Sequence, residues 1–93
     1  MTVRIRFKGP LASQIPRNII EVQVSNEIRT LNDILGILLG EYPEAGAIWE
    51  SAEQMDTDAL LLKNGVDIGL LDGLDTVLND NDEIIVLPLV HGG

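Results

Sequence analysis

Apolar and polar side chains alternate at the start of the chain. Residues 2–8 place apolar side chains at every second position with basic ones between them, which predicts a strand with one buried face. The apolar members are Val3, Ile5 and Phe7. Residues 11–18 are expected to form a loop, and residues 19–24 predict a second strand that pairs with the first as a hairpin.

One amphipathic helix follows the hairpin. Its apolar residues recur at intervals of three and four positions, so they share a single face that can cover a sheet. They are Leu31, Ile34, Leu35, Leu38 and Leu39. Thr30 is a suitable N-cap with Asp33 three residues later, while Gly40 and Pro43 are expected to end the helix. Gly36 lies inside it at some cost in stability, and close packing against the sheet is the expected reason.

The second half of the chain predicts three more strands. Residues 59–63 form an apolar run that ends in an Asn-Gly pair, a strong turn signal. Residues 66–68 predict a short edge strand, and residues 69–82 predict turns around a short helical segment. Residues 84–89 form the final strand, which is apolar on both faces and therefore suits a central position beside the first strand.

This order of elements predicts an α+β fold of the β-grasp type. A mixed sheet of four to five strands carries one main helix on one face, reached by a right-handed crossover. Residues 44–58 are acidic and irregular, with a helical turn expected around residues 45–51. We predict a single domain over residues 1–88 and a flexible C-terminal tail over residues 89–93.

The composition of the chain indicates what its core is made of and excludes several kinds of site. Hydrophobic residues make up 45% of the chain, which is enough for a packed core, and only three residues are aromatic, so that core consists of Leu, Ile and Val. There is no cysteine, which excludes disulfides, thiolate metal sites and a cysteine nucleophile. No apolar run approaches the ~18 residues of a membrane span. These features predict a soluble, cytoplasmic protein that does not bind membranes.

The net charge of −9 is unevenly distributed. Residues 1–30 carry five basic and two acidic side chains, a balance of +3, whereas residues 31–93 carry one lysine and thirteen acids, a balance of −12. Direct nucleic-acid binding is not expected, because phosphate contacts require clustered positive charge. The acidity either steers the chain toward basic partner proteins or serves solubility alone.

The last residues are Val90, His91, Gly92 and Gly93. Glycines without side chains can enter a narrow channel. A carboxylate at the second glycine is inert until it is adenylated, whereupon it becomes an acyl donor to sulfur or to an amine. The tail therefore predicts a chain whose chemistry takes place at Gly93, with Val90, His91 and Gly92 recognised by a partner. For His91 we favour recognition over proton transfer near the reacting carbonyl.

Three motifs in the second half resemble the ubiquitin-related modifier family of β-grasp sulfur carriers, to which archaeal small modifiers are similar. Residues 61–68 resemble that family's strand and Asn-x-x-Asp turn, and residues 70–76 resemble its leucine-rich segment with glycine. Residues 80–85 resemble its Asp-Gly-Asp-Glu entry to the last strand, with Asn81 in place of the glycine. The His-Gly-Gly ending completes the resemblance, which covers residues 59–93 well and the earlier half only in pattern.

The resemblance implies a carrier and substrate rather than an enzyme. Members of the family bind no cofactor, and an adenylating activating enzyme uses ATP and Mg²⁺ on their terminal glycine. For this chain the Gly93 acyl-adenylate would become a thiocarboxylate with the help of a sulfurtransferase. The sulfur then passes to a tRNA-thiolation enzyme, or the terminus is joined to lysines of target proteins, with the proteasome as a candidate partner.

A docking surface is expected on the outer face of the sheet. If Lys63 points to water, period two places Leu61 there as well, and Glu83 outward places Ile85 and Leu87 outward. Arg4 and Arg6 would rim this apolar patch, which is typical of a protein-binding surface unless a loop or a second copy covers it. Lys63 is either a conjugation acceptor or simply a solvent-facing strand residue.

Two alternatives remain open. The chain could be the small subunit of molybdopterin synthase, to which it is also similar, with its tail inserted into a large catalytic subunit. It could instead be a binding module that is never conjugated and that uses the sheet face alone. The carboxylates, which lie mainly in predicted turns, form no catalytic pair in this reading.

Overall fold

The structure is a computed structural model that describes residues 1–15 and 18–89. Within them, five strands form one mixed sheet with the order β2-β1-β5-β3-β4. The strands are β1 (Thr2–Phe7), β2 (Ile19–Gln23), β3 (Ala59–Lys63), β4 (Val66–Asp67) and β5 (Glu83–Pro88). The two central strands, β1 and β5, run parallel, and the other neighbours are antiparallel. The predicted β-grasp topology is thereby confirmed, including the central position of the last strand.

The main helix forms where the apolar spacing predicts it. The described residues contain α1 (Leu11–Gln14), α2 (Leu31–Glu41), α3 (Pro43–Gly46) and α4 (Ala52–Asp58). The Thr30 hydroxyl caps α2 by accepting a hydrogen bond from the Asp33 backbone N–H at 3.3 Å. Four of the five predicted stripe residues are fully buried, and Leu39 is partly buried.

The core lies between the helices and one face of the sheet. Alternate strand residues point into it, as the pattern of residues 2–8 predicts. The buried strand residues are Val3, Ile5, Phe7, Ile20, Val22, Ala59, Leu61, Ile84 and Val86. Each helix adds buried side chains to the same cluster, and Phe7 stacks on Trp49 with ring centroids 6.2 Å apart. The opposite face of the sheet is the outer face.

Two predicted irregular segments contain helices that the sequence pattern did not reveal. Residues 11–18 include α1, which brings Leu11 into the core. In residues 44–58 the turn predicted around residues 45–51 overlaps α3 (Pro43–Gly46) only at its start, and α4 was missed. Ser51 caps α4 by accepting from the Gln54 N–H at 3.1 Å, while the Gln54 side chain accepts from the Glu50 N–H at 2.7 Å.

The β3–β4 turn depends on left-handed backbone. Asn64 and Gly65 have φ angles of 48° and 86°, as a two-residue type I′ hairpin requires. Asn81, which replaces a glycine of the resembled motif, has a φ of 68° and so adopts the left-handed geometry expected of it. Two 3₁₀ turns, Ile68–Leu70 and Gly73–Asp75, occupy the predicted turn region before β5.

The prediction that Gly36 packs closely against the sheet is wrong. Gly36 is exposed, and a Cβ built on it meets no atom within 4 Å. The glycine that permits close packing is Gly46 at the end of α3, where a Cβ would lie 2.7 Å from the Leu39 carbonyl oxygen. Because α2 and α3 pack against each other here, the close approach lies between helices and not between helix and sheet.

We predict that Gly36→Ala raises the free energy of unfolding by about 0.5–1 kcal/mol, because alanine restricts the unfolded chain and fits the exposed helix. The midpoint of urea unfolding measures this gain. Gly46→Ala is the matched control and should lower stability, since its methyl group would collide with a backbone carbonyl. A loss of stability in Gly36→Ala would mean that this position does make a packing contact.

Candidate functional site

The end of β5 is the last part of the chain before the predicted C-terminal tail. Pro88 pairs with Ala59 at the start of β3, and the Leu89 N–H donates to the Asp58 carbonyl at 3.1 Å. On the other side, the Lys8 N–H donates to the Val86 carbonyl at 3.1 Å. A backbone that is hydrogen-bonded on both sides is held in place up to Leu89. Of the predicted tail, residues 90–93 lie outside the described residues, and these include all four predicted tail-site residues.

Four apolar side chains line the outer face beside this point. They are Leu60, Leu62, Ile85 and Leu87, and we call them the outer patch. Leu60 lies opposite Leu87 and Leu62 lies opposite Ile85, so each pair shares a face of neighbouring strands. All four are half-buried, with no helix of the described residues packed over this face. Ile85 and Leu87 lie where they were predicted.

The predicted outward position of Leu61 is wrong. Leu61 is 1% exposed and lies opposite Val86 on the buried face. The error came from placing Lys63 in water. Lys63 pairs with Ile84 and therefore belongs to the inner face, at the rim of the core. Because side chains alternate along a strand, Leu60 and Leu62 occupy the outer positions instead.

The Lys63 side chain contacts other residues of the chain. Its ammonium donates to the Val77 carbonyl at 3.0 Å and lies 3.7 Å from the Asp82 carboxylate. The side chain is only 21% exposed. A long aliphatic stem at the rim of a core with its charged end held by loop acceptors is an ordinary structural role for lysine. The reading of Lys63 as a simple solvent-facing residue is therefore wrong, and its amine is poorly placed for conjugation.

A hydrogen-bond network fixes the loop that leads into β5. The buried Asp82 carboxylate accepts from the Asn64 side chain at 2.9 Å and from the Asn79 N–H at 2.7 Å. The Asn64 side chain in turn accepts from the Glu83 N–H at 2.9 Å. Sequence reasoning placed Asn64, Asp82 and Glu83 in motifs but did not foresee that they bond to one another. Their carboxylate and amide groups are hydrogen-bonded to one another within this loop, so they supply no catalytic group.

Basic side chains border the outer patch along β1. Arg6 lies beside Ile85 in the sheet, and its guanidinium pairs with Glu83 at 3.2 Å. Arg4 lies 3.6 Å from Glu21 on β2. The Arg4–Glu21 pair is substantially exposed and the Arg6–Glu83 pair is partly exposed, so each contributes little to stability. The predicted rim of Arg4 and Arg6 thus lies on the predicted face.

The described part of the chain contains neither a metal-binding cluster nor a helix that could cross a membrane. Among residues 1–15 and 18–89, no group of three or more His, Cys, Asp or Glu side chains is placed to hold a metal ion. Over the same residues, no helix combines the length and apolar character needed to cross a membrane.

Comparisons with known proteins agree with this geometry. The model of the ThiS family matches residues 12–93. Small archaeal modifier protein 3 of Haloferax volcanii is 33% identical over 94 residues, which span 100% of both chains. The solution structure of small archaeal modifier protein 1 from Methanosarcina acetivorans is 27% identical, with a TM-score of 0.74 over 99% of this chain and 96% of that one.

A third similarity concerns the molybdopterin proteins, the other relatives that the sequence predicted. A chain in the complex of subunits 1 and 2 of the molybdopterin-converting factor from Helicobacter pylori is 25% identical, with a TM-score of 0.62 over 100% of both chains. The predicted resemblance to archaeal small modifiers, and the further one to the molybdopterin proteins, are both confirmed. Since its family model covers nearly the whole sequence, this chain belongs to the ThiS family of β-grasp proteins.

Proposed function

We propose that this chain is a sulfur carrier and protein modifier that acts through the carboxylate of Gly93. An activating enzyme adenylates this carboxylate with ATP and Mg²⁺, and the acyl-adenylate is then converted to a thiocarboxylate. The chain itself contributes no catalytic group and holds no cofactor in this scheme. Its role is to present one carboxylate, on a thin tail, to the catalytic groups of other proteins.

The observation that carries this proposal is that the backbone at Leu89, four residues before Gly93 in the sequence, is fixed at the end of the sheet beside the outer patch. The backbone of Leu89 is fixed by its hydrogen bond to Asp58 at the end of the sheet. Gly93 follows four residues later, which extended chain can span over ~13–14 Å at 3.3–3.6 Å per residue. A partner that covers the outer patch can therefore receive the glycines in a site close to its own interface.

Charge supports the choice of partner. The outer patch is apolar at its centre and has Arg4 and Arg6 along one side, whereas the chain as a whole carries −9. An activating enzyme that offers an apolar surface bordered by carboxylates would meet complementary groups at this face and repulsion elsewhere. The docking surface is thus proposed as the outer patch with Arg4 and Arg6, and Leu61 is no longer part of it.

Two fates are proposed for the activated terminus. With a sulfurtransferase as sulfur donor, the thiocarboxylate would supply a tRNA-thiolation enzyme. Alternatively, the Gly93 carbonyl would be joined to a lysine of a target protein through an isopeptide bond, with the proteasome as a candidate reader of the modified protein. The second fate is supported by the 33% identity to a protein named small archaeal modifier protein 3. Both fates require the same first step, the adenylation of Gly93.

A second candidate is the small subunit of molybdopterin synthase. The observation that favours it is the full-length similarity to a chain in the Helicobacter pylori complex. In this case the tail would enter a large subunit and remain in a stable complex. Loss of molybdenum cofactor on deletion of the gene, together with co-purification of a large subunit, would support this candidate over the modifier.

Mass spectrometry of the protein purified from its own cells without reducing agents tests the proposal. A species with one oxygen of Gly93 replaced by sulfur is expected, and peptides in which Gly93 is joined to a lysine would add the modifier role. Detection of the free acid alone, even after addition of activating enzyme, ATP and Mg²⁺, would contradict the proposal and favour a module that binds through its sheet face.

A further inference from the structure

Strand β2 forms an open edge of the sheet. The strand order places β2 at one end and β4 at the other, and no strand of the described residues pairs with the far side of either. Strand β4 has only two residues, and such a short edge strand offers little to a further chain, whereas β2 runs over five. An unpaired edge of this length presents backbone groups to which another extended chain can bind.

Hydrogen bonds at both ends of β2 show which of its residues face outward. The Asn18 carbonyl accepts from the N–H at the end of β1 at 2.8 Å, and Met1 and Val24 exchange two bonds at 2.9 and 3.0 Å. In an antiparallel pair, residues that bond to the neighbouring strand alternate with residues that do not. Ile20 and Val22 therefore bond to β1, and the backbone groups of the other three residues of β2 point away from the sheet. These three are Ile19, Glu21 and Gln23.

The described part of the chain leaves these outward backbone groups uncovered. The three residues are exposed, whereas Ile20 and Val22 are buried on the face that α2 contacts. No hydrogen bond among the described residues uses the outward N–H or carbonyl groups. The strand also lacks the lysine or proline that often protects an edge. The occupant that fits is an extended segment, because its own donors and acceptors have the matching spacing.

The charges on the outer face indicate which side chain fits beside Glu21. Arg4 lies opposite Glu83 on β5 and opposite Glu21 on β2, so the signs alternate across three neighbouring strands. The Glu21 carboxylate lies 3.6 Å from Arg4 and is exposed, so it can meet a second cation from the open side. Opposite charges that face each other across two strands are favourable, and like charges are unfavourable. A lysine or arginine on an added strand would therefore continue the row.

The same row argues against a second copy of this chain as the occupant. Pairing β2 with β2 of another molecule through all three outward residues would place Glu21 opposite Glu21. Each molecule also carries a net charge of −9, so the two molecules repel each other. A basic segment of a different protein meets neither obstacle.

We propose that β2 binds an extended segment of a partner protein by strand addition, with a lysine or arginine of that segment opposite Glu21. Apolar residues of the segment lie opposite Ile19 on the outer face and beside Ile20 and Val22 on the inner face. The site is separate from the outer patch, because β1 lies between β2 and β5 and sets these two strands ~10 Å apart. The inference therefore does not depend on adenylation of Gly93.

Two synthetic peptides test the proposal on the ¹⁵N-labelled full-length chain. The first is acetyl-Ser-Thr-Ile-Lys-Val-Val-Ser-amide, whose lysine lies opposite Glu21 when the peptide pairs antiparallel to β2, and the second has glutamate in place of this lysine. In an NMR titration, the lysine peptide should shift the amide signals of β2 with a Kd of about 1 mM, since a short peptide must be ordered on binding. The glutamate peptide should bind roughly threefold to tenfold more weakly.

Reversal of the charge at Glu21 provides the matched variants. In Glu21→Lys the preference should reverse, so that the glutamate peptide binds more tightly than the lysine peptide. Glu27→Lys is the control, because Glu27 is exposed in the turn after β2 and its replacement changes the net charge by the same amount. This control should keep the preference of the wild-type chain. Urea unfolding verifies that both variants fold.

Amide hydrogen exchange tests the open edge directly. In the free chain the amides of Ile20 and Val22 should exchange slowly and those of the three outward-facing residues rapidly, and the lysine peptide should slow the second group. The opposite pattern in the free chain would overturn the geometry of the edge.

The peptide experiments can also overturn the proposal. Absence of binding by the lysine peptide would do so, as would signal changes confined to the outer patch or an unchanged preference in Glu21→Lys. A dimer of the chain with contacts between two β2 strands would overturn the choice of a partner protein as the occupant. In each of these cases the proposed function would stand, because neither the peptides nor the variants alter Gly93.

Discussion

Removal of Gly92 and Gly93 is expected to abolish adenylation of the chain and to leave its fold unchanged. The deletion moves the terminal carboxylate back by ~7 Å of extended chain, and it leaves His91, with an imidazole side chain, at the reacting end. Since misplacement by ~1 Å can already cost about a hundredfold in rate, we expect a loss of at least ~10³-fold. ATP–pyrophosphate exchange with the activating enzyme measures this loss.

Stability should not change with this deletion. The last backbone hydrogen bond that the structure describes is that of Leu89, and the core residues of β5 end at Val86. The free energy of unfolding should therefore stay within about 0.5 kcal/mol of the full-length value. His91→Ala is the control that keeps the length of the tail and removes only a recognition group. If the shortened chain were adenylated at the full rate, the carboxylate of Gly93 would not be the reacting group.

The sequence predicted most of the fold because each element carried its own local signal. Strand β1 alternates strictly between apolar and basic residues, so only one of its faces can be buried. Helix α2 has a complete stripe and a Thr30 cap, which specify both its start and its buried face. The Asn64-Gly65 pair fixes the β3–β4 turn through its left-handed backbone. These signals need no knowledge of distant residues.

The sequence analysis missed helix α4 because only part of the signal for this helix is local. The rest comes from tertiary contacts. Its acidic surface reads as an irregular, solvated segment, and only Ala52 and Met55 are buried. The cap formed by Ser51 with Gln54 was the one local signal available. Burial of Met55 in the core, which gives a seven-residue helix its stability, depends on the fold around it, since short helices are marginal alone.

The sequence could not show which alternate residues of β3 point into the core. Residues 59–62 are all apolar, so nothing in them distinguishes the two faces, and the lysine at the end was taken as the marker of the outer face. The structure shows that a lysine at the rim of a core can lie on the inner face when a loop supplies acceptors. The register with β5, which pairs Leu61 with Val86, decides the matter. Register joins distant residues and is invisible in a local pattern.

The pair Leu61→Asp and Leu62→Asp tests this assignment with the same chemical change at adjacent positions. Leu61→Asp places a carboxylate in the core without a partner and removes a fully buried side chain. Losing the burial of a core leucine costs 2–5 kcal/mol, and an unpaired polar group adds to it, so we expect a loss of about 4 kcal/mol or more. This is a large part of the ~5–15 kcal/mol that stabilises a small domain.

Leu62→Asp changes the outer patch instead. Its side chain is half-buried among Ile85 and its neighbours and can turn toward water, so stability should fall by no more than ~1 kcal/mol. The introduced charge would be buried in the complex with the activating enzyme, so the KM for this chain should rise by roughly tenfold or more, while kcat stays nearly constant. Urea unfolding and steady-state pyrophosphate exchange measure the two effects.

If Leu62→Asp unfolded the chain and Leu61→Asp did not, the register of β3 against β5 would be wrong. If Leu62→Asp folded and its KM were unchanged, the activating enzyme would dock elsewhere, because a carboxylate at the centre of an apolar interface cannot be neutral to binding.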